Sequence, residues 1–105
     1  MVKALTAAEF DAFITEAKEP VLVDLWASWC GPCRMLSPLV DQLAEAYAGR
    51  LQVAKVDVDA EGAVAMRYFV NSIPTLLLFK DGQLVDRSVG LVPMQALEAF
   101  VKQAL

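Results

Sequence analysis

The only two cysteines of this chain stand two residues apart, in Trp29-Cys30-Gly31-Pro32-Cys33. Their surroundings constrain the fold more than any other feature. Before them runs Val21-Leu22-Val23-Asp24-Leu25-Trp26, a short apolar stretch that reads as a buried strand. After them, residues 34–47 read as a helix. The pair therefore sits where a strand hands over to a helix. The first amides of a helix lack internal partners, and the helix dipole is positive there. A thiolate at that point is stabilised, so its cysteine ionises more readily. Pro32 suits a first helical turn, and Gly31 lets another backbone approach the sulfur.

Four kinds of chemistry use a Cys-x-x-Cys. A zinc site needs four ligands, or three and a water, and the chain has no histidine and no third cysteine. Haem attachment needs a histidine after the second cysteine, where Arg34 stands. A structural disulfide gains stability with the length of the loop it closes, and this loop is very short. A catalytic dithiol fits the strand-to-helix context best.

At 105 residues the chain has the length of one compact domain, expected to span 1–105. Hydrophobic residues make up 57%, enough for a dense core, yet no run approaches the roughly 18 apolar residues of a membrane span. Lys3-Ala4-Leu5 resembles the start of an export signal, but Glu9 and Asp11 break the apolar stretch. A reducing cytoplasm is therefore the expected home, where paired cysteines are usually catalytic. The net charge of −4, with no basic run, argues against nucleic acid as a ligand.

Along the chain, residues 2–5 suggest a short edge strand. Thr6-Ala7-Ala8-Glu9 is a capping-box pattern opening a helix to about Ala17, with Phe10, Phe13 and Ile14 on one face. Glu19-Pro20 ends that segment. Pro38 falls inside the helix after the cysteines, where it removes a bond to the Arg34 carbonyl and is expected to kink it. Gly49 closes that helix. Residues 51–58 read as a strand, and Asp59 as the cap of a short helix over 60–68. Residues 76–79 and 84–89 read as two strands joined at Asp81-Gly82. Pro93 starts a last helix with Leu97, Ala99, Phe100 and Val101 turned inward. This β-α-β-α-β-α-β-β-α order implies an α/β fold: a central mixed sheet with helices on both faces.

Asp24 is the oddest residue. A carboxylate in a buried strand costs several kcal/mol if charged and unpaired, so it is expected to hold its proton to high pH, as a proton store beside the dithiol. A half-exposed strand position is the plainer alternative. Lys55, on the neighbouring strand, is a charge partner for Asp24 or else a snorkelling surface lysine. Trp29 flanks the first sulfur and is expected to be exposed on a partner-contact surface. Trp26 is expected to pack beneath the loop.

Trp29-Cys30-Gly31-Pro32-Cys33 after Val23-Asp24-Leu25-Trp26-Ala27 resembles the thioredoxin family. So do Ala54-Lys55-Val56-Asp57, Ile73-Pro74-Thr75-Leu76, Phe79-Lys80-Asp81-Gly82 and Val89-Gly90. The likeness covers essentially the whole chain. It implies the thioredoxin fold and a protein dithiol–disulfide oxidoreductase that reduces client proteins, works as a monomer and needs no cofactor of its own. By the same resemblance Cys30 is the nucleophile, Cys33 the resolving thiol and Asp24 the acceptor of the Cys33 proton, with Lys55 beside it. The resemblance also implies a cis bond at Ile73–Pro74, with Trp29, Gly31, Pro32, Ile73, Gly90 and Leu91 around the client. A flavin-dependent, NADPH-using reductase would restore the dithiol. The same chemistry run as an oxidant or isomerase, and a redox-independent binding module, are the competing uses. Phe69, Asn71 and Ser72 depart from the family's small or basic residues, and Pro93 stands where a hydroxyl cap is usual.

Overall fold

The computed structural model describes residues 2–105. Its elements are β1 (Val2–Ala4), α1 (Ala7–Glu16), β2 (Val21–Trp26), α2 (Gly31–Ala46), β3 (Gln52–Asp57), α3 (Gly62–Arg67), β4 (Thr75–Lys80), β5 (Gln83–Val89) and α4 (Met94–Lys102). The expected order holds throughout.

The capping box forms as read. The Thr6 hydroxyl accepts the Glu9 amide at 3.3 Å, and the Glu9 carboxylate accepts the Thr6 amide at 3.0 Å. The strands lie in the order β1-β3-β2-β4-β5. β1 and β2 run parallel to β3, while β4 is antiparallel to both β2 and β5. β2 is thus the middle strand, covered on both faces, which is why it reads as a nearly unbroken apolar run.

Side chains alternate across a strand, and β2 feeds two cores. Val21, Val23 and Leu25 pack with Phe10, Ile14, Val64 and Phe79 against α1 and α3. There the rings of Phe10, Tyr68 and Phe79 meet at 5.6–5.9 Å between centroids. Leu22 faces the other way, into a core with Leu36, Val40, Leu43, Leu97 and Val101 from α2 and α4. Asp24 and Trp26 share that second face.

Three expectations need correction. α2 begins at Gly31 rather than Arg34, so both cysteines belong to its opening turn. Asp59 does not cap α3, which starts only at Gly62 with Glu61 before it and no side-chain cap. Asp59 stays in the preceding turn, its amide on the Asp57 carboxylate at 3.0 Å. Ala99 is exposed on α4 and Phe100 only half-buried. Leu97 and Val101, four apart, share the inward face, and Ala99 between them falls on the opposite side.

Two turns carry left-handed backbone. Asp81 and Gly82 have φ of 53° and 77°, the signature of a two-residue hairpin turn. Phe69 has φ of 55° just past the end of α3. The Val70 amide reaches back to the Ala65 carbonyl at 2.8 Å, a helix stop that normally uses glycine at the Phe69 position. A bulky residue there costs about 1–2 kcal/mol. At the outer edge of the sheet, β5 is exposed along most of its length, and its pairing with β4 shifts between Leu78 and Phe79.

Candidate active site

Cys30 is the N-cap of α2 and Cys33 lies in its first turn. The two are joined in a disulfide with Cα atoms 5.2 Å apart, inside the range such a bond spans. The Cys33 amide donates to the Cys30 sulfur at 3.2 Å. One of the helix's orphan amides is therefore already aimed at the atom that would carry a thiolate charge. Both cysteines are buried with Ala27, against Trp26, Val58 and Ile73. The Cys30 sulfur lies 3.8 Å from the Ile73 carbonyl oxygen, 43 positions away in sequence. The Ile73–Pro74 peptide bond is cis.

Behind the sulfurs, Asp24, Trp26, Cys33, Arg34, Ser37 and Lys55 line a cavity of about 100 Å3. Asp24 is only 4% exposed, and its Oδ1 has no hydrogen-bond partner among the described residues. Burial pushes its carboxyl up to about 7; the Lys55 ammonium opposes the rise and the Asp41 carboxylate adds to it. Lys55 is opposite Asp24 in the parallel pairing of β2 with β3, and its Nζ lies 5.6 Å above the Trp26 ring.

In front of the sulfurs, Trp29 is 66% exposed. Gly90 donates its amide to the Pro74 carbonyl at 2.8 Å, and its φ of 96° is one that only glycine holds easily. Leu91 and Pro32 are exposed and Gly31 half-buried. A Cβ added at Gly31 would meet nothing within 4 Å, so the space at that residue is open. Pro38 stands apart: it is exposed on α2 and lines neither the cavity nor the sulfur cluster.

Two residues that the sequence does not assign to the site hold this front. Asp59 accepts the Trp29 indole N–H at 2.9 Å, and Arg34 donates to the Ser28 carbonyl at 2.9 Å. The indole has one donor to satisfy, and an acid in the turn after β3 was the available signal. Arg34 carried none beyond its place after Cys33.

A short disulfide on a helix N-terminus, with a buried carboxyl in the cavity beside it, defines a dithiol–disulfide oxidoreductase. The thioredoxin family model matches residues 1–103. The chain is similar to Thioredoxin 1 of Synechococcus elongatus, with 51% identity covering 90% of this chain and 88% of the relative. It is similar also to a thioredoxin of Porphyra purpurea, with 46% identity covering 97% and 95%, and to one of Haemophilus influenzae, with 43% identity covering 91% and 90%. The chain belongs to the thioredoxin family. It is a protein-disulfide reductase acting on disulfide-bearing client proteins.

Proposed function

We propose that Cys30 attacks the client and Cys33 resolves the product, with Asp24 taking the Cys33 proton. The observation that carries this reading is the Cys33 amide on the Cys30 sulfur at the N-terminus of α2. The Cys30 thiolate attacks one sulfur of a client disulfide, forming a mixed disulfide and expelling the other client sulfur as a thiolate, which takes a proton from water. Cys33 then loses its proton and attacks the Cys30 sulfur. The second client thiol leaves, and two electrons have passed to the client.

The cavity shared by Cys33 and Asp24 supports proton transfer between them, directly or through one water. A carboxyl lifted to about 7 suits a group that takes and returns a proton near neutrality. Lys55 limits that rise and so keeps the carboxyl within reach of both states. Trp29, Gly31, Pro32, Gly90 and Leu91 form the apolar rim for the client, with the bent Ile73–Pro74 backbone taking an extended client segment as an added strand. The reductant for the oxidised protein is an NADPH-dependent, flavin-containing thioredoxin reductase. The chain works as a single-domain monomer in the cytoplasm, in the maintenance of cellular redox balance.

The roles of the two sulfurs are tested by trapping. Cys33→Ser is expected to accumulate a client mixed disulfide on Cys30, and Cys30→Ser to accumulate none. Peptide mapping that found the client on Cys33 would reverse the assignment. NADPH-coupled reduction of insulin with a purified thioredoxin reductase tests the electron source; no coupling would remove that partner.

A further inference from the structure

Cys33 and Asp24 are nearly sealed from solvent, at 2% and 4% exposed. A proton that passes from the thiol to the carboxyl must still reach water before the next cycle. The cavity that the two share is the way out, and the side chains lining it decide how a proton can travel there.

The Lys55 ammonium, the Arg34 guanidinium and the Trp26 indole carry donors and no acceptor. Each would have to give up its own proton before receiving another. Apart from Asp24 and Cys33 themselves, the Ser37 hydroxyl is the one side-chain group of the lining that both accepts and donates. Ser37 follows Cys33 by four residues on α2, so the two share a face of the helix, one turn apart. It is exposed where Cys33 is buried, and so stands where the cavity meets bulk water. The cavity volume of about 100 Å3 is several times the roughly 10–15 Å3 that one water needs. A short file of water from the Asp24 carboxyl to the Ser37 hydroxyl therefore fits. The Trp26 indole N–H, buried without a partner among the described residues, can donate to that file and hold it.

We infer that Ser37 is a positioning residue for the reaction, its hydroxyl ordering the water that carries the Cys33 proton from Asp24 to bulk solvent. The inference rests on the reading of Asp24 as proton acceptor and adds the second half of the path. The charged groups around the cavity are Lys55 from β3 and Arg34 and Asp41 from α2. A change at Ser37 alters none of them, so it is expected to change the rate of proton release and leave the titration point of the carboxyl where it is.

The test mixes the full-length reduced protein with a symmetrical nitroaryl disulfide in stopped flow. Attack by Cys30 releases a first coloured arylthiolate, at a rate set by reagent concentration. Attack by Cys33 on the Cys30 sulfur releases the second, at a rate that is not. Both leave as anions, so the Cys33 proton ends in the bulk. Ser37→Ala is expected to slow the second release about threefold, and Ser37→Val, which also displaces water, about tenfold, with the first release unchanged. The ratio of second-release rates in H2O and D2O is expected to be larger in both variants than in wild type, with the same pH midpoint. Ser37→Thr keeps the hydroxyl and is expected to match wild type. An unchanged second release in Ser37→Val, or a slower one with the wild-type isotope ratio, would overturn the inference. A second release as fast in Asp24→Asn as in wild type would instead remove Asp24 as the proton acceptor beneath it.

Discussion

Val21, Val23 and Leu25 leave β2 toward α1 and α3 and meet only apolar side chains and rings. Leu22, Asp24 and Trp26 leave the same strand toward α2, and the series passes from a core leucine to a buried carboxyl to the residue under the disulfide. Burial serves opposite ends on the two sides. On the first it removes apolar area from water, at roughly 25 cal/mol per Å2. On the second it withholds water from a carboxyl that would ionise if it were free. Both faces stabilise the fold through their cores, and at Asp24 the second gives up some of that stability to keep a carboxyl away from water.

The largest test of this division is on the apolar side. Phe10 is fully buried among Tyr68 and Phe79. Phe10→Ala is expected to cost about 3–5 kcal/mol in urea unfolding, with the oxidation rate per folded molecule unchanged. A matching loss of reactivity would mean that the two faces do not act separately.

Asp24→Ala is expected to move stability the other way. The folded carboxyl titrates near 7 rather than at 3.8, so between those values the folded state binds more protons than the unfolded one. Wild-type stability therefore falls as pH rises through this window. The variant escapes that loss and is expected to be more stable by on the order of 2–4 kcal/mol at pH 8, with the gain vanishing toward pH 4. Client turnover is expected to fall. Equal slopes of stability against pH in the two proteins would show that Asp24 carries no such load.

The smallest effect belongs to the exposed pair of Asp11 and Arg67, at the rim of the apolar face. Asp11→Asn is expected to change stability by no more than about 0.5 kcal/mol, and less in high salt. A loss above 1 kcal/mol would make this rim pair a real support of the rings that Arg67 overlies.

What was legible in the sequence follows the same division. Local pattern shows the apolar run of β2, the one-sided face of α1 and the turn residues Asp81-Gly82, and Asp24 stands out because it interrupts that run. The helical stripe of α2 is legible only from Arg34 on, although Pro32 already suits its first turn. Asp59 reads as a cap because an acid before a short helix usually is one, whereas here an indole N–H claims it from 30 positions away. Ala99 is ambiguous in sequence because alanine suits either face of α4. The left-handed Phe69 had no local signal at all: glycine, the residue that would mark such a stop, is absent from it.

The open side of β5 bears on how the protein behaves when crowded. A free strand edge is a template on which further chains can pair. Here one boundary of the sheet is a strand of three residues, too short to template much. The other is interrupted where its pairing slips beside Leu78, and it carries Asp86 and Arg87 in sequence. Irregularity and charge both spoil the flat, continuous ladder that a growing fibril needs. Leu84, Val85 and Val89 can thus remain in water on that strand without nucleating aggregation at high protein concentration.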